Sequence, residues 1–223
     1  MNDFYKQPKL MQWIEALLLL FLGFYPAIVI IELGTNQPMF YLLFLIYLPI
    51  GQFSATPIFR LSGIYKYYSP MLLGYMPNNV QIDLHNGGSF DYLFVMKKFK
   101  IGIESRNRIL AYHLEGLMNI IKEVENGVIP KSVNIVGTSY FFNERTLSKF
   151  GFELKKPSLF YRVNLFVNFI DLLWMYSISQ GYFSIPKIWT ANKASIEGGK
   201  LIERKEIIND LHRKLTAKIK TIA

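Results

Sequence analysis

The chain has 223 residues, of which 51% are apolar, 16% aromatic and only 18% charged, and its formal net charge is +9. A composition this apolar and this poor in charge excludes an intrinsically disordered protein. Because the chain has no cysteine, disulfide-stapled secreted domains, cysteine-ligated zinc or iron–sulfur sites and cysteine nucleophiles are also excluded.

Two apolar segments near the N-terminus predict a transmembrane helical hairpin. Residues 16–31 and 33–59 carry no charged side chain, and Glu32 is the only charge between them. With its flanks the first segment reaches about 20 residues, enough to cross the hydrocarbon core of a bilayer. We therefore expect a hairpin over residues 1–56, with spans at about 11–33 and 38–55. A single span with an interfacial second segment, a cleaved signal peptide and a buried pair of core helices are the alternatives.

The charges that flank the two spans predict the orientation of the hairpin. Lys6 and Lys9 precede the first span and Arg60 and Lys66 follow the second, whereas the turn between the spans has no basic residue. Lysine and arginine are enriched on the cytoplasmic side of membrane proteins. We therefore expect a bacterial inner-membrane protein with both termini in the cytoplasm.

The basic residues of the chain are concentrated after the hairpin. Residues 1–56 hold two lysines and three acidic residues, so residues 57–223 hold the other 23 Lys and Arg and the other 13 Asp and Glu. The expected partner of this basic part is the anionic head-group layer of the bilayer. Nucleic acid is the other common partner of basic domains, but no helix-turn-helix, zinc-finger or RNP motif is present in the sequence, and we do not expect it. Residues 57–77, rich in tyrosine and methionine, predict an interfacial connector or, alternatively, a core segment of the domain.

Residues 78–223 predict one cytoplasmic sheet-and-helix domain of the α/β or α+β class. An apolar–polar alternation predicts the strands of a hairpin, and apolar residues at spacings of four and three predict a long helix. The expected elements are a β-hairpin of residues 80–85 and 90–96 around Asn86-Gly87-Gly88, a helix capped by Ser105 and ended by Gly127, a strand at 131–137, and a short helix from Asn143 to Lys149 closed by Gly151.

The last third of the chain predicts two further helices. Residues 160–179 are strongly apolar but contain Arg162, Asn164, Asn168 and Asp171, which is typical of a helix that is buried or pressed against a membrane. A third membrane span is the alternative. Residues 181–199 predict a loop. Residues 200–220 predict a basic amphipathic helix that docks on its own domain, a partner or an anionic membrane.

Motifs for metal, nucleotide or nucleophilic chemistry are absent from the sequence. His85, His113 and His212 have no second histidine at ligand spacing, so no metal site is expected. The chain also contains no P-loop, no GxGxxG fingerprint and no GxSxG nucleophile elbow.

One local cluster carries the residue types of acid–base catalysis. Asp83 and His85 are two residues apart on a predicted strand, so their side chains share a face. A carboxylate beside an imidazole is the basic unit of general acid–base catalysis, and Asp91 could face the pair across the predicted turn. Asp83, His85 and the more distant Ser139 are the candidate catalytic residues, and a solvated strand face is the alternative.

Residues 133–154 carry a resemblance to a known family. A strand, a short helix that begins near Asn143 and the closing pair Gly151-Phe152 follow one another. This segment resembles the C-terminal part of the GNAT-type N-acyltransferases. Leu147 stands where that family often has a tyrosine that protonates the leaving thiolate.

The resemblance implies acyl-coenzyme A as the cofactor. In the family, a glycine-containing motif at the start of the preceding helix holds the pyrophosphate with backbone N–H groups and the helix N-terminus. The corresponding candidate residues here are Gly102 and Arg106, and Gly137 and Asn143 are expected to line the rest of the cofactor site.

These observations leave three functions open. The missing catalytic motifs favour an accessory or interaction subunit, whose basic domain binds a protein partner or a second copy at the membrane surface and needs no cofactor. The second function is a membrane-tethered, acyl-CoA-dependent transferase. The third is a membrane effector that is gated by its soluble domain.

Overall fold

The computed structural model describes residues 2–138 and 144–222 and has a mixed α/β architecture. The strands are β1 (Tyr65–Ser69), β2 (Leu72–Tyr75), β3 (Gln81–Asn86), β4 (Asn134–Thr138), β5 (Glu153–Lys155) and β6 (Lys193–Glu197). The helices are α1 (Lys9–Asn36), α2 (Phe44–Leu61), α3 (Ser89–Val95), α4 (Ile103–Glu125), α5 (Glu144–Lys149), α6 (Leu159–Val167), α7 (Phe169–Gln180), α8 (Gly198–Glu203) and α9 (Lys205–Ile222). Short 3₁₀ turns lie at Asp3–Lys6, Pro38–Leu43, Met96–Lys98 and Ile188–Thr190.

Helix α1 and the stretch Pro38–Leu61, which joins a 3₁₀ turn to α2, are each long and apolar enough to cross a membrane. The two helices pack through small residues, since a Cβ on Gly23 would collide with the Ser54 side chain. In the most apolar windows of these two segments, only 22% and 17% of the residues are buried. The core helices of a water-soluble domain would bury most of such a surface.

The six strands form one sheet in the order β1-β2-β3-β4-β6-β5. The first three strands are antiparallel neighbours, and β3 pairs in parallel with β4. Strand β6 lies between β4 and β5 and is antiparallel to both. The only parallel pair in the described sheet is thus β3–β4, and α3 and α4 form the connection between its strands.

The main hydrophobic core lies between the sheet and helices α4, α8 and α9. Ile82 and Ile135 of the parallel pair are buried against Leu117 and Ile121 of α4 and Ile208 of α9. These α4 residues belong to the stripe that predicted the long helix, which begins at Ile103 and ends at Glu125, as expected. Its N-cap, however, is Gly102, whereas the predicted cap, Ser105, lies inside the first turn and donates its hydroxyl to Lys100 O at 2.7 Å.

The prediction of a second hairpin strand at 90–96 is wrong, because residues 89–95 form α3. At the start of this helix the Asp91 carboxylate accepts the Gly88 amide, as in a capping box. Phe90, Tyr92 and Val95 are all buried, so this short segment is buried on several sides. A short apolar run of that kind shows neither a helical nor a strand period.

Three other segments differ from the sequence prediction. Residues 65–75 form strands β1 and β2, the second of the two alternatives for the predicted connector. The predicted loop at 181–199 contains β6, whose Ala194 and Ile196 point into the core. The helix predicted at 160–179 breaks at Asn168. The side-chain amide of Asn168 donates a hydrogen bond to Asn164 O, and side-chain bonds of this kind compete with the backbone hydrogen bonds of a helix.

The end of α7 is fixed against the start of α4 by a contact between two glycines. Gly181 has a φ of +83°, Gly102 has a φ of +93°, and the Gly102 amide donates to Ile178 O at 2.8 Å. A Cβ on Gly181 would lie 3.0 Å from the Gly102 Cα. This close approach holds α7 beside the connection between the parallel strands.

Replacing Gly181 with alanine is expected to destabilise the protein for two reasons. The left-handed backbone conformation costs about 1–2 kcal/mol in a non-glycine residue, and the new Cβ would also crowd the Gly102 Cα. Gly127→Ala is the matched control, because Gly127 also has a positive φ, +71°, but a Cβ added there would meet no atom within 4 Å. Thermal unfolding of both variants in mild detergent measures the difference. Equal losses of stability would contradict a role for the Gly102 contact.

Candidate functional site

A cavity of about 570 Å³ lies against the carboxyl end of β3. Its walls come from α2, from strands β1–β3, from the turn at 87–89 and from the pair α6–α7. In open α/β sheets, ligands bind outside the carboxyl ends of parallel strands, and this cavity has that position on the first strand of the β3–β4 pair. Its size falls in the range of small-molecule sites.

Asp83 and His85 lie side by side in this cavity, as their two-residue spacing on a strand predicts. The His85 Nε2 atom is 3.5 Å from the Asp83 Oδ2 atom. On the other side of the carboxylate, the Tyr161 hydroxyl donates to Asp83 Oδ1 at 3.1 Å. The ring of His85 also contacts the ring of Tyr75 edge-on at a centroid distance of 6.3 Å.

This geometry orients the imidazole. A carboxylate beside Nε2 favours the tautomer with its proton on Nε2, which leaves Nδ1 as the proton acceptor. Tyr161 fixes the carboxylate in turn. The chain Tyr161–Asp83–His85 therefore has the arrangement of a general base with a group that orients it.

A second, mainly apolar cavity of about 70 Å³ lies near the same strand end. It shares Leu84, His85 and Asn86 with the large cavity, and Gly137 of β4 is also in its wall. The last residue pair of the parallel ladder is Leu84 with Gly137. Both cavities are thus lined by residues at the end of the β3–β4 ladder.

Asn86, the last residue of β3, is held in place by a buried histidine of α4. The His113 Nε2 atom lies 2.9 Å from the Asn86 Oδ1 atom. Burial lowers the pKa of His113 to about 4, so its imidazole is neutral at physiological pH. His113 therefore serves to position Asn86 and adds no charge to the cavity.

The far wall of the large cavity carries a second carboxylate, Asp171 of α7. It accepts hydrogen bonds from the hydroxyl of Ser89 and, at 2.9 Å, from the indole N–H of Trp174. Burial raises the pKa of Asp171 above its usual range. These contacts join α7 to the start of α3 at the edge of the cavity.

The charged groups of the large cavity are unlike the rest of this basic chain. Its lining includes Asp83, Asp171 and His85 but no lysine or arginine of the described residues. No group of three or more His, Asp or Glu side chains able to hold a metal ion occurs among residues 2–138 and 144–222. Asp83, His85, Tyr161 and Asp171 supply groups for hydrogen bonding and proton transfer in this cavity.

The predicted cofactor residues are spread over the fold. Gly137 lies in the wall of the small cavity. Gly102 uses its amide for Ile178 O, and Arg106 is exposed one turn along α4; neither residue lines the large or the small cavity. Ser139 and Asn143 lie outside the described residues. The assignment of these residues to catalysis and to cofactor binding stays a prediction.

A second buried cluster joins the N-terminal helices to the sheet. Asp91, fully buried in α3, accepts the Tyr67 hydroxyl at 2.7 Å and the Gly88 amide at 3.1 Å. The guanidinium of Arg60, at the end of α2, lies 3.6 Å from the ring centre of Tyr5 and 4.4 Å from that of Tyr67. Burial raises the pKa of Asp91 to about 7.

Sequence reasoning missed Tyr161 and misplaced Asp91, which lines neither cavity and bonds to Tyr67 instead of facing Asp83 and His85. Tyr161 is 78 residues from Asp83 along the chain, and no local pattern connects the two residues. The burial of Asp91 has a signal in the sequence, because Asp91 is the only charge in the apolar segment Phe90–Met96 and a lone carboxylate in such a run is either solvated or a buried partner of other polar groups.

Comparison of the chain with models of protein families, with curated proteins and with solved structures gives no match.

Proposed function

We propose that α1 and the stretch Pro38–Leu61 anchor the protein in a bacterial inner membrane. Their length, their charge-free segments and their exposed apolar faces support this. The residues before α1 and after α2 pack together: the rings of Phe4 and Phe90 are 5.3 Å apart, and Lys98 pairs with Asp3 at 2.9 Å. Two crossings bring both flanks to the same side, and the lysines and arginine of the flanks favour the cytoplasmic side.

We further propose that the sheet domain is an acyl-CoA-dependent transferase that works beside this membrane. The observation that carries the proposal is the Tyr161–Asp83–His85 chain in a cavity of about 570 Å³ at the carboxyl end of β3. The small apolar cavity, with the predicted residue Gly137 in its wall, lies at the same strand end. The resemblance of residues 133–154 to GNAT-type N-acyltransferases points to the same chemistry.

In the proposed reaction His85 is the general base. Its Nδ1 atom takes the proton from an amine or hydroxyl of the acceptor while that nucleophile attacks the thioester carbonyl carbon. The new bond to the acceptor forms, the carbon–sulfur bond breaks, and the coenzyme A thiolate leaves and takes the proton from the His85 imidazolium. Asp83 stabilises the imidazolium that forms, and Tyr161 keeps the carboxylate in place.

Binding of the donor is tested by the thermal unfolding of the full chain in mild detergent with and without acetyl-CoA and longer acyl-CoAs. A ligand at 100 times its dissociation constant adds about 2.7 kcal/mol to the stability of the folded state. We expect stabilisation by at least one acyl-CoA and release of free thiol when an acceptor is present. Coenzyme A without an acyl group is the control, and the absence of any shift with every acyl chain would contradict the proposal.

An accessory subunit that binds a partner through its basic domain is the second candidate. The exposed side of α9 favours it, because Arg213, Lys214, Lys218 and Lys220 are all exposed there. Extraction of the tagged protein from native membranes, followed by mass spectrometry of what co-purifies, separates the two candidates. A stoichiometric partner with no thiol release supports the subunit, whereas a protein that purifies alone and turns over acyl-CoA supports the transferase.

A further inference from the structure

The pair α6–α7 presents an apolar stripe to the outside of the molecule. Leu159, Val163 and Phe166 follow one another at spacings of four and three residues, so they lie on one face of α6. Ile170 follows in the first turn of α7. The exposed fractions of these four residues are 78%, 51%, 65% and 39%. The opposite side of the same helices, including Tyr161, Leu165 and Asp171, lines the large cavity.

The segment after α7 extends this exposed surface. Tyr182, Phe183, Ile185 and Trp189 are all more than half exposed. Helix α6 contacts the 3₁₀ turn that contains Trp189, so this end of the segment lies beside α6. We call the eight residues the α6–α7 patch: Leu159, Val163, Phe166, Ile170, Tyr182, Phe183, Ile185 and Trp189.

The α6–α7 patch is placed at the end of the second apolar segment. The side-chain amide of Gln52 in α2 donates to the side chain of Asn168 at the junction of α6 and α7. Gln52 lies near the end of the predicted span at 38–55. The patch therefore lies at the depth at which α2 would leave the hydrocarbon core.

The charges around the patch have one sign. Residues 156–192 contain three basic side chains, Lys156, Arg162 and Lys187, and all three are exposed. The one acidic residue in this range, Asp171, is buried. Exposed aromatic and aliphatic side chains with a surrounding of lysine and arginine suit the head-group layer of an anionic bilayer.

We propose that the α6–α7 patch lies in the head-group layer of the bilayer that the hairpin enters, as a second contact of this protein with anionic lipid. The proposal rests on the membrane anchoring proposed above and is independent of the transferase activity. Because the same two helices form a wall of the large cavity, the cavity lies directly beside the head groups. A ligand that is itself a lipid or is held in the head-group layer can then reach His85 without crossing the aqueous phase.

The absence of cysteine from the chain allows a direct test with single-cysteine variants of the full protein. Val163→Cys and Phe183→Cys place an environment-sensitive fluorophore on the patch. Phe21→Cys, on the exposed face of α1, is the control for the hairpin, and Val128→Cys, 63% exposed after α4, is the control for water. The labelled proteins are reconstituted into vesicles of phosphatidylcholine with phosphatidylglycerol that contain lipids with a nitroxide close to the head group or, for the probe at 21, deep in the acyl chain.

We expect a blue-shifted emission and quenching by the nitroxide lipids for the probes at 163 and 183, as for the probe at 21, but not for the probe at 128. The quenching at 163 and 183 should weaken in vesicles of phosphatidylcholine alone, whereas that at 21 should not. Probes at 163 and 183 that behave like the probe at 128, while the probe at 21 is quenched, would overturn this proposal alone. Loss of quenching at 21 as well would overturn the membrane anchoring.

Two other occupants of the patch give different results in the same experiment. A second copy of the chain would shield the probes at 163 and 183 in detergent, in proportion to protein concentration and without lipid quenching. A protein partner would leave both probes water-exposed in the pure vesicles and shield them only in native membranes. Either result would overturn the lipid contact.

Discussion

Replacing His85 with glutamine is expected to lower the rate of acyl transfer by about 10²–10⁴-fold, the usual contribution of a positioned general base. Glutamine keeps a polar side chain of similar size in the cavity but accepts no proton at neutral pH. Since His85 is partly exposed and outside the hydrophobic core, the stability of the protein and its affinity for the acyl donor should change little. The rate of thiol release and the donor-induced thermal shift are measured on the same sample.

Two further variants make this result specific. His212→Gln changes a histidine on α9 that lines neither cavity, and it should keep the full rate. Asp83→Asn removes the charge that orients the imidazole, and we expect a loss of rate in the same direction, since the amide of asparagine also favours the other tautomer. A His85→Gln variant that binds acyl-CoA and reacts at the wild-type rate would remove His85 from the mechanism.

Replacing Asp91 with asparagine is expected to remove a pH dependence of stability. In the wild type, the titration of Asp91 should lower the free energy of unfolding by about 4 kcal/mol between pH 4 and pH 8, the equivalent of a pKa shift of about three units. Burial raises the pKa of Asp91 from its ordinary value of 3.8 to about 7 in the folded protein. Between these two values the folded state binds more protons than the unfolded state, so the free energy of unfolding falls as pH rises. This loss of stability is complete above pH 7 and absent below pH 4.

Asparagine carries no charge at any of these pH values and can still accept the hydrogen bonds from Tyr67 and Gly88. The variant should therefore gain stability relative to the wild type as pH rises. The other titratable groups are the same in both proteins and contribute the same pH dependence to each. Denaturant unfolding in mild detergent at several pH values measures this difference. Glu206→Gln, which removes an exposed carboxylate of α9, should follow the wild-type profile, and an Asp91→Asn profile parallel to the wild type would show that Asp91 does not titrate in this range.

Several elements could be predicted because their sequence pattern has a single physical explanation. The charge-free segments predict α1 and α2, and the stripe from Leu114 to Val124 predicts α4, since each pattern is long compared with the period of a helix. The Asp83–His85 pair could also be predicted, because alternation on a strand puts both side chains on one face. These predictions depend only on residues that are close in the chain.

The remaining elements depend on contacts between distant parts of the chain. Helix α3 could not be told from a strand, because Phe90 and Tyr92 are buried on different sides by other elements. Strand β6 has only five residues and becomes regular by pairing with β4 and β5. The cavity is formed by α2, β3 and α6–α7 together, so Tyr161 joins the site only when these elements have packed.

The insertion of β6 between β4 and β5 has a consequence for the synthesis of the protein. While the ribosome has not yet produced residues 193–197, β4 has an open edge and β5 has no partner strand. Such open edges pair readily with other chains, and nascent chains fold in the order of their synthesis. We expect that a chaperone, or the membrane surface itself, covers the edge of β4 during this interval, and that a stop codon after residue 192 yields an aggregating chain with an intact hairpin.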